Sequence, residues 1–99
     1  MEENFTASRE LDLKVALKIF GFTEWLEDVI PHYSTDRDAA QLILNEVVSK
    51  QYGFYVGKTT DSQWGAYFAN QENTRTAYAQ AATIPLAICL GALKLYELV

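Results

Sequence analysis

Apolar and polar residues alternate from the start of this chain. Leu11, Leu13, Val15, Leu17 and Ile19 are interleaved with Asp12, Lys14, Ala16 and Lys18. Strict alternation is the pattern of a half-buried strand. The same residues also place Leu13, Ala16, Leu17 and Phe20 on one stripe of good helix formers, which favours a helix over Arg9–Phe20. Ser8 is its expected N-cap, Glu10 sits in the first turn, and Gly21 is placed to stop it. Residues 1–7 read as a flexible lead-in, and Phe22–Ile30 as a charge-rich connecting loop.

A clearer 3.6-residue period follows. Ala40, Ile43, Leu44, Val47 and Val48 form one apolar face, predicting a second helix from just after Ser34/Thr35 to about Lys50. The period then drops to two. Tyr52–Lys58 sets Phe54 and Val56 against Tyr55 and Gly57, and Gln63–Ala69 sets Trp64, Ala66 and Phe68 against Gly65, Tyr67 and Ala69. The polar run Thr59–Ser62 between them predicts a hairpin loop. Residues 70–76 read as a polar loop leading into an alanine-rich stretch. Thr83 as N-cap and Pro85 in the first turn then start a helix running to about Glu97, with Ala87, Gly91 and Ala92 as points of close approach. The expected order is α-α-β-β-α: a small α/β/α sandwich in which helices pack an antiparallel β-hairpin. A lone hairpin is marginal in water, so helices or another chain must cover its faces.

Composition narrows the partners. Ninety-nine residues make a single domain, 1–99, able to bury roughly 60–70% of its unfolded surface without disulfides. Thirteen acids against eight bases give a net charge of −5, which argues against a nucleic-acid polymer or an anionic membrane as the main partner. The one cysteine, Cys89, lies in an apolar helical run and reads as a buried hydrophobe of a reducing compartment. An acidic N-terminus without a basic and apolar leader, and an apolar run Ile84–Leu93 too short to span a bilayer, set the expectation of a cytoplasmic protein.

Candidate chemistry concentrates at Pro31–Ala40. Ser34 or Thr35 can cap the second helix, and the free N–H groups and dipole there make a seat for an anion, with Tyr33 either packed as a staple or stacked on a base. The two readings are compatible. Arg75, flanked by Thr74 and Thr76, is either a solvated loop residue or a bidentate phosphate clamp. Among the hairpin aromatics Tyr52, Tyr55, Trp64 and Tyr67, most belong to core or interface, and one or two can wall a pocket for a purine. His32 has no metal-ligating partners. With Ser34 and Asp36 it is too close along the chain for a triad, and no nucleophile elbow is present. An enzyme is not expected, nor a metal or cofactor.

Three segments carry a family resemblance: Leu11–Gly21 (LDLKVALKIFG), Tyr33–Val48 (YSTDRDAAQLILNEVV), and Trp64–Phe68 with Ala77–Leu93 (AYAQAATIPLAICLGAL). Together they resemble the phage ABA sandwich domain, a small α/β/α protein of bacteriophage and prophage genomes. Family members usually carry methionine and tryptophan around the first glycine, where this chain has Ile19-Phe20-Gly21-Phe22. The resemblance implies a phage protein in the host cytoplasm. Phage proteins of this size and class include anti-CBASS-type sponges, which sequester a cyclic dinucleotide or related messenger without cleaving it. On that reading the chain is a homo-oligomeric binding protein for a small nucleotide signal, held by Tyr33, Ser34, Thr35, Arg75, Thr76 and Trp64. The alternative is a protein–protein inhibitor or structural accessory protein.

Overall fold

The computed structural model describes residues 9–21, 30–72 and 74–97. Among these the order is α1 (Arg9–Lys18), α2 (Arg37–Ser49), β1 (Gly53–Thr60), β2 (Gln63–Ala69), β3 (Thr76–Ala81) and α3 (Ile84–Glu97). The three strands form one antiparallel sheet in the order β1-β2-β3. The α/β class and the packing of helices on an antiparallel sheet match expectation. The element order is corrected to α-α-β-β-β-α, because the stretch expected as loop and alanine-rich lead is a third strand. The lead-in, the Ser8 cap and the Phe22–Val29 part of the first loop lie outside the described residues.

α1 is helical as expected, but its core face differs. Leu11, Val15 and Ile19, four residues apart, are buried together with Asp12 and Ala16, whereas Leu17 is 42% exposed. Gly21 adopts φ 71°, the left-handed conformation that ends a helix and that glycine enters without steric cost. α2 buries Ala39, Ala40, Ile43, Leu44 and Val47, the predicted stripe except for Val48. Thr83 caps α3 as expected: the Leu86 N–H donates to its Oγ1 at 3.4 Å, and the Ala87 N–H to its carbonyl at 3.0 Å.

The sheet register fixes two faces. Phe54, Phe68 and Ala77 are aligned across the strands, as are Val56, Ala66 and Ala79; with Lys58, Trp64 and Ala81 they make the face toward the helices. β3 turns small residues toward α3: Ala77, Ala79 and Ala81 are buried, and so are Ala87, Gly91 and Ala92 of α3. Small residues on both partners let the helix lie close to the strand. At Gly91 an added Cβ would stand 2.8 Å from Phe68 Cε2 and 3.2 Å from the Ala66 carbonyl oxygen. α3 lies against β2 and β3, α2 packs on α3, and α2 touches β1 only thinly. β1 therefore overhangs the helical layer, and this offset creates the groove described next.

Candidate functional site

The Pro31–Asp38 segment is built by packing. Tyr33 is 1% exposed and stacks on Phe20, with ring centroids 5.3 Å apart and planes 12° from parallel. Ser34 is fully buried, and its backbone N–H donates to Asp12 Oδ1 at 2.8 Å. The other Asp12 oxygen accepts from Arg9 Nη1 at 2.9 Å. Arg9 also donates to the carbonyls of Ile30, at 2.9 Å, and Pro31, at 3.3 Å. A buried carboxylate is tolerated when a charged and a backbone donor both satisfy it, so Asp12 and Arg9 together pin this segment onto α1.

The expected cap is corrected. Asp36, with extended φ −113° and ψ 121°, caps α2 by accepting the Asp38 N–H at 2.9 Å. Ser34 and Thr35 precede it in a turn closed by Thr35 and Asp36 N–H groups on the His32 carbonyl. An ionised carboxylate satisfies the backbone better than a hydroxyl and complements the helix dipole, which favours Asp36. The positive end of α2 thus already carries two acids of the chain itself, Asp36 and Asp38.

Of the residues named from sequence, Tyr33 and Ser34 are core and Thr35 is exposed beside the cap. Arg75 and Thr76 are exposed at the far end of the sheet. The Arg75 backbone N–H and carbonyl are bound by Asn70, whose side chain also accepts from Thr74 and organises the β2–β3 turn. Thr76 aligns with Ala69 and Trp64 with Ala81, so Trp64 lies five residues up β2, roughly 17 Å away at about 3.4 Å per residue. The structure does not bring these groups together.

Trp64 does face a site. A groove of about 490 Å³ opens where β1 overhangs, lined by Arg37, Gln41 and Leu44 of α2, Phe54 and Val56 of β1, Trp64 of β2, and Ile84 and Ile88 of α3. The volume lies in the range of small-molecule sites, and its walls combine apolar area with few polar groups. Arg37, Gln41 and Leu44 share one α2 face at i, i+4 and i+7. Arg37 has no ion-pair partner among the described residues. Lys58 Nζ stands 6.0 Å from the Trp64 ring centroid, at the outer reach of a cation–π contact. Sequence reasoning missed Arg37 and Gln41, although Arg37 stands inside the stretch it singled out. A second hollow, about 430 Å³ beside β3, is lined by Lys14, Lys94, Glu97, Leu90, Leu93, Ala79 and Gln80. It has no aromatic wall, and Lys94 is already spent on the Tyr78 carbonyl at 3.1 Å.

Cys89 is buried, and burial, then the nearby Asp12 charge, pushes its thiol well above the ordinary range. Such a thiol stays protonated and is not a nucleophile near neutrality. Among the described residues no group of three His, Cys, Asp or Glu side chains is placed to hold a metal. No helix among them is long and apolar enough to cross a membrane.

No protein-family model and no curated protein matches the chain. Among solved structures it is similar to a phage protein from Bacillus cereus ATCC 14579, known from a 2.0 Å crystal structure. That similarity has a TM-score of 0.77 at 25% sequence identity, and covers 95% of this chain and 96% of the other.

Proposed function

We propose that this chain is a phage-encoded binding protein that holds a nucleotide second messenger, such as a cyclic dinucleotide, in the β1 groove and sequesters it uncleaved from host immunity. The single observation that carries the reading is the juxtaposition of Trp64 and Phe54 with Arg37 in one groove. Aromatic faces stack on a base, and a guanidinium pairs bidentately with a phosphate. The same lining offers Arg37 and Gln41 as its polar groups and supplies no nucleophile or general base, which supports binding without turnover. Phage origin draws support from the similar Bacillus cereus phage protein and from the resemblance to the ABA sandwich domain. The ligand-binding residues on this reading are Arg37, Gln41, Phe54 and Trp64. Tyr33 and Ser34 anchor the approach to α2, the helix that carries Arg37 and Gln41.

Isothermal titration with a panel of cyclic dinucleotides and ADP-ribose derivatives tests the proposal, with Trp64 fluorescence as a second signal. Saturable binding by one member is expected, with the nucleotide recovered intact after denaturation. Arg37→Ala and Trp64→Ala should each weaken it about tenfold or more, the scale of one lost charge-assisted hydrogen bond or stacked ring. Arg75→Ala should leave it unchanged. Absence of binding across the panel overturns the reading, and so does a cleaved product.

A further inference from the structure

The face of the sheet turned away from the helices carries Gly53, Tyr55, Gly57 and Thr59 of β1, Gln63, Gly65, Tyr67 and Ala69 of β2, and Thr76, Tyr78 and Gln80 of β3. Tyr55, Tyr67 and Tyr78 stand in register across all three strands, with 71%, 39% and 45% of each exposed. Two of the rings lie down over glycines. A Cβ on Gly57 would meet Tyr55 Cε2 at 2.9 Å, and one on Gly65 would meet the Tyr78 hydroxyl at 2.7 Å. The Tyr78 hydroxyl donates to Gln80 Oε1 at 3.2 Å, which steadies that ring. No described helix covers this face.

We infer that this tyrosine face is the surface on which a second copy of the chain packs, sheet against sheet across a two-fold axis. Three observations select a second copy. First, the face holds no charged side chain, in a protein of net charge −5. Two copies can therefore meet here without opposing like charges, while a nucleic acid or an anionic membrane finds no cation to bind. Second, the face is self-complementary in shape. Its Gly57/Gly65 end is raised by the overlying rings, while its other end, at Gly53 and Ala69, opens into a hollow of about 370 Å³ bounded by Phe54, Tyr55, Tyr67, Asn70 and Gln71. An axis lying across the strands sets the raised end of one copy over the hollow end of the other. Third, the area suffices. The tyrosines alone expose roughly 300 Å² at 150–250 Å² per aromatic side chain. With Thr59, Thr76 and Gln80 added, the two copies bury on the order of 1,000 Å² in total, where specific association begins. This inference does not rest on the ligand assigned to the groove, although Phe54 at the β1 edge borders both the groove and the hollow.

Sedimentation equilibrium over a micromolar to submillimolar series tests it, with far-UV circular dichroism to confirm folding of each variant. The expected result is a monomer–dimer equilibrium weakened about tenfold or more by Tyr55→Glu, because a two-fold contact sets the new charges near one another. Tyr55 is exposed at the sheet edge, so this variant should retain the fold; Tyr67→Glu is the second probe. Leu42→Glu, on the exposed side of α2, should leave the dimer intact. A wild-type protein that stays monomeric throughout overturns the inference and leaves the face to a different partner. A dimer insensitive to folded Tyr55→Glu, or broken by Leu42→Glu, overturns it as well.

Discussion

The carboxylate of Asp12 and the backbone N–H of Ser34, separated by twenty-two residues, meet at 2.8 Å inside the core. This contact, completed by Arg9, holds the approach to α2 against α1. Without it Tyr33 would have no fixed seat on Phe20, and the start of α2, which carries Arg37, would lose its reference to the rest of the fold.

Asp12→Ala should therefore destabilise the protein by about 3 kcal/mol, because it takes the acceptor from the buried Ser34 N–H and the carboxylate from the partly buried Arg9 guanidinium. Asp12→Asn keeps an acceptor for Ser34 and should cost about half as much. Urea unfolding of the two variants measures the difference. Equal stability of wild type and Asp12→Ala would reduce the contact to decoration.

Capping makes a separate claim. Asp36→Ala should cost about 1 kcal/mol, the usual loss of a capping carboxylate, while Thr35→Ala should change stability by less than about 0.5 kcal/mol. The two can be ranked by thermal unfolding in one buffer. A larger loss at Thr35 would restore the cap read from the sequence.

Gly91→Ala opposes two effects of known sign. Alanine gains about 1 kcal/mol of helix propensity over glycine. The new methyl would press on Phe68, which is fully buried, and on the immobile Ala66 carbonyl. Overpacking typically costs about 1–3 kcal/mol, so a net loss of about 1 kcal/mol is expected. Chemical denaturation that shows the variant more stable than wild type would mean that α3 can shift away from β2 freely.

Alkali should unfold this protein early. Burial, then the charges of Cys89 and Asp12, pushes the Tyr33 phenol from 10.0 up to about 12. The Cys89 thiol is raised from 9.0 by burial and then by Asp12. Both groups ionise sooner in the unfolded chain, which binds fewer protons than the native state once the pH passes about 9. Their contribution is complete below pH about 9 and is lost as pH rises toward 12. Urea midpoints followed from neutral pH upward should fall above pH about 9, and Cys89→Ala should delay the onset toward the tyrosine range. A flat profile to pH about 11 would contradict both assignments.

Much of the fold was legible in short-range pattern. The α2 stripe of Ala40, Ile43, Leu44 and Val47, the two faces of β1 and β2, and the Thr83 cap of α3 follow from side-chain period and local hydrogen bonding, which a sequence states directly. The alternation in Thr76–Ala81 was equally visible, but its apolar members are all alanine, a residue that favours helices and carries little burial signal. That segment became a strand because β2 offered it an edge and α3 a surface of matching small residues, neither of which is local.

The candidate site divides in the same way. The sequence by itself determined that Pro31–Ala40 begins a helix, that Trp64 shares a face with Phe68, and that the hairpin presents tyrosines on the opposite side. Tertiary structure decided that Tyr33 and Ser34 are buried, that Arg75 lies far from Trp64, and that Arg37 and Gln41 line the groove. The reason is physical. Period and capping depend on neighbours a few residues away, whereas burial, a twenty-two-residue hydrogen bond and a groove depend on how whole elements are offset when they pack.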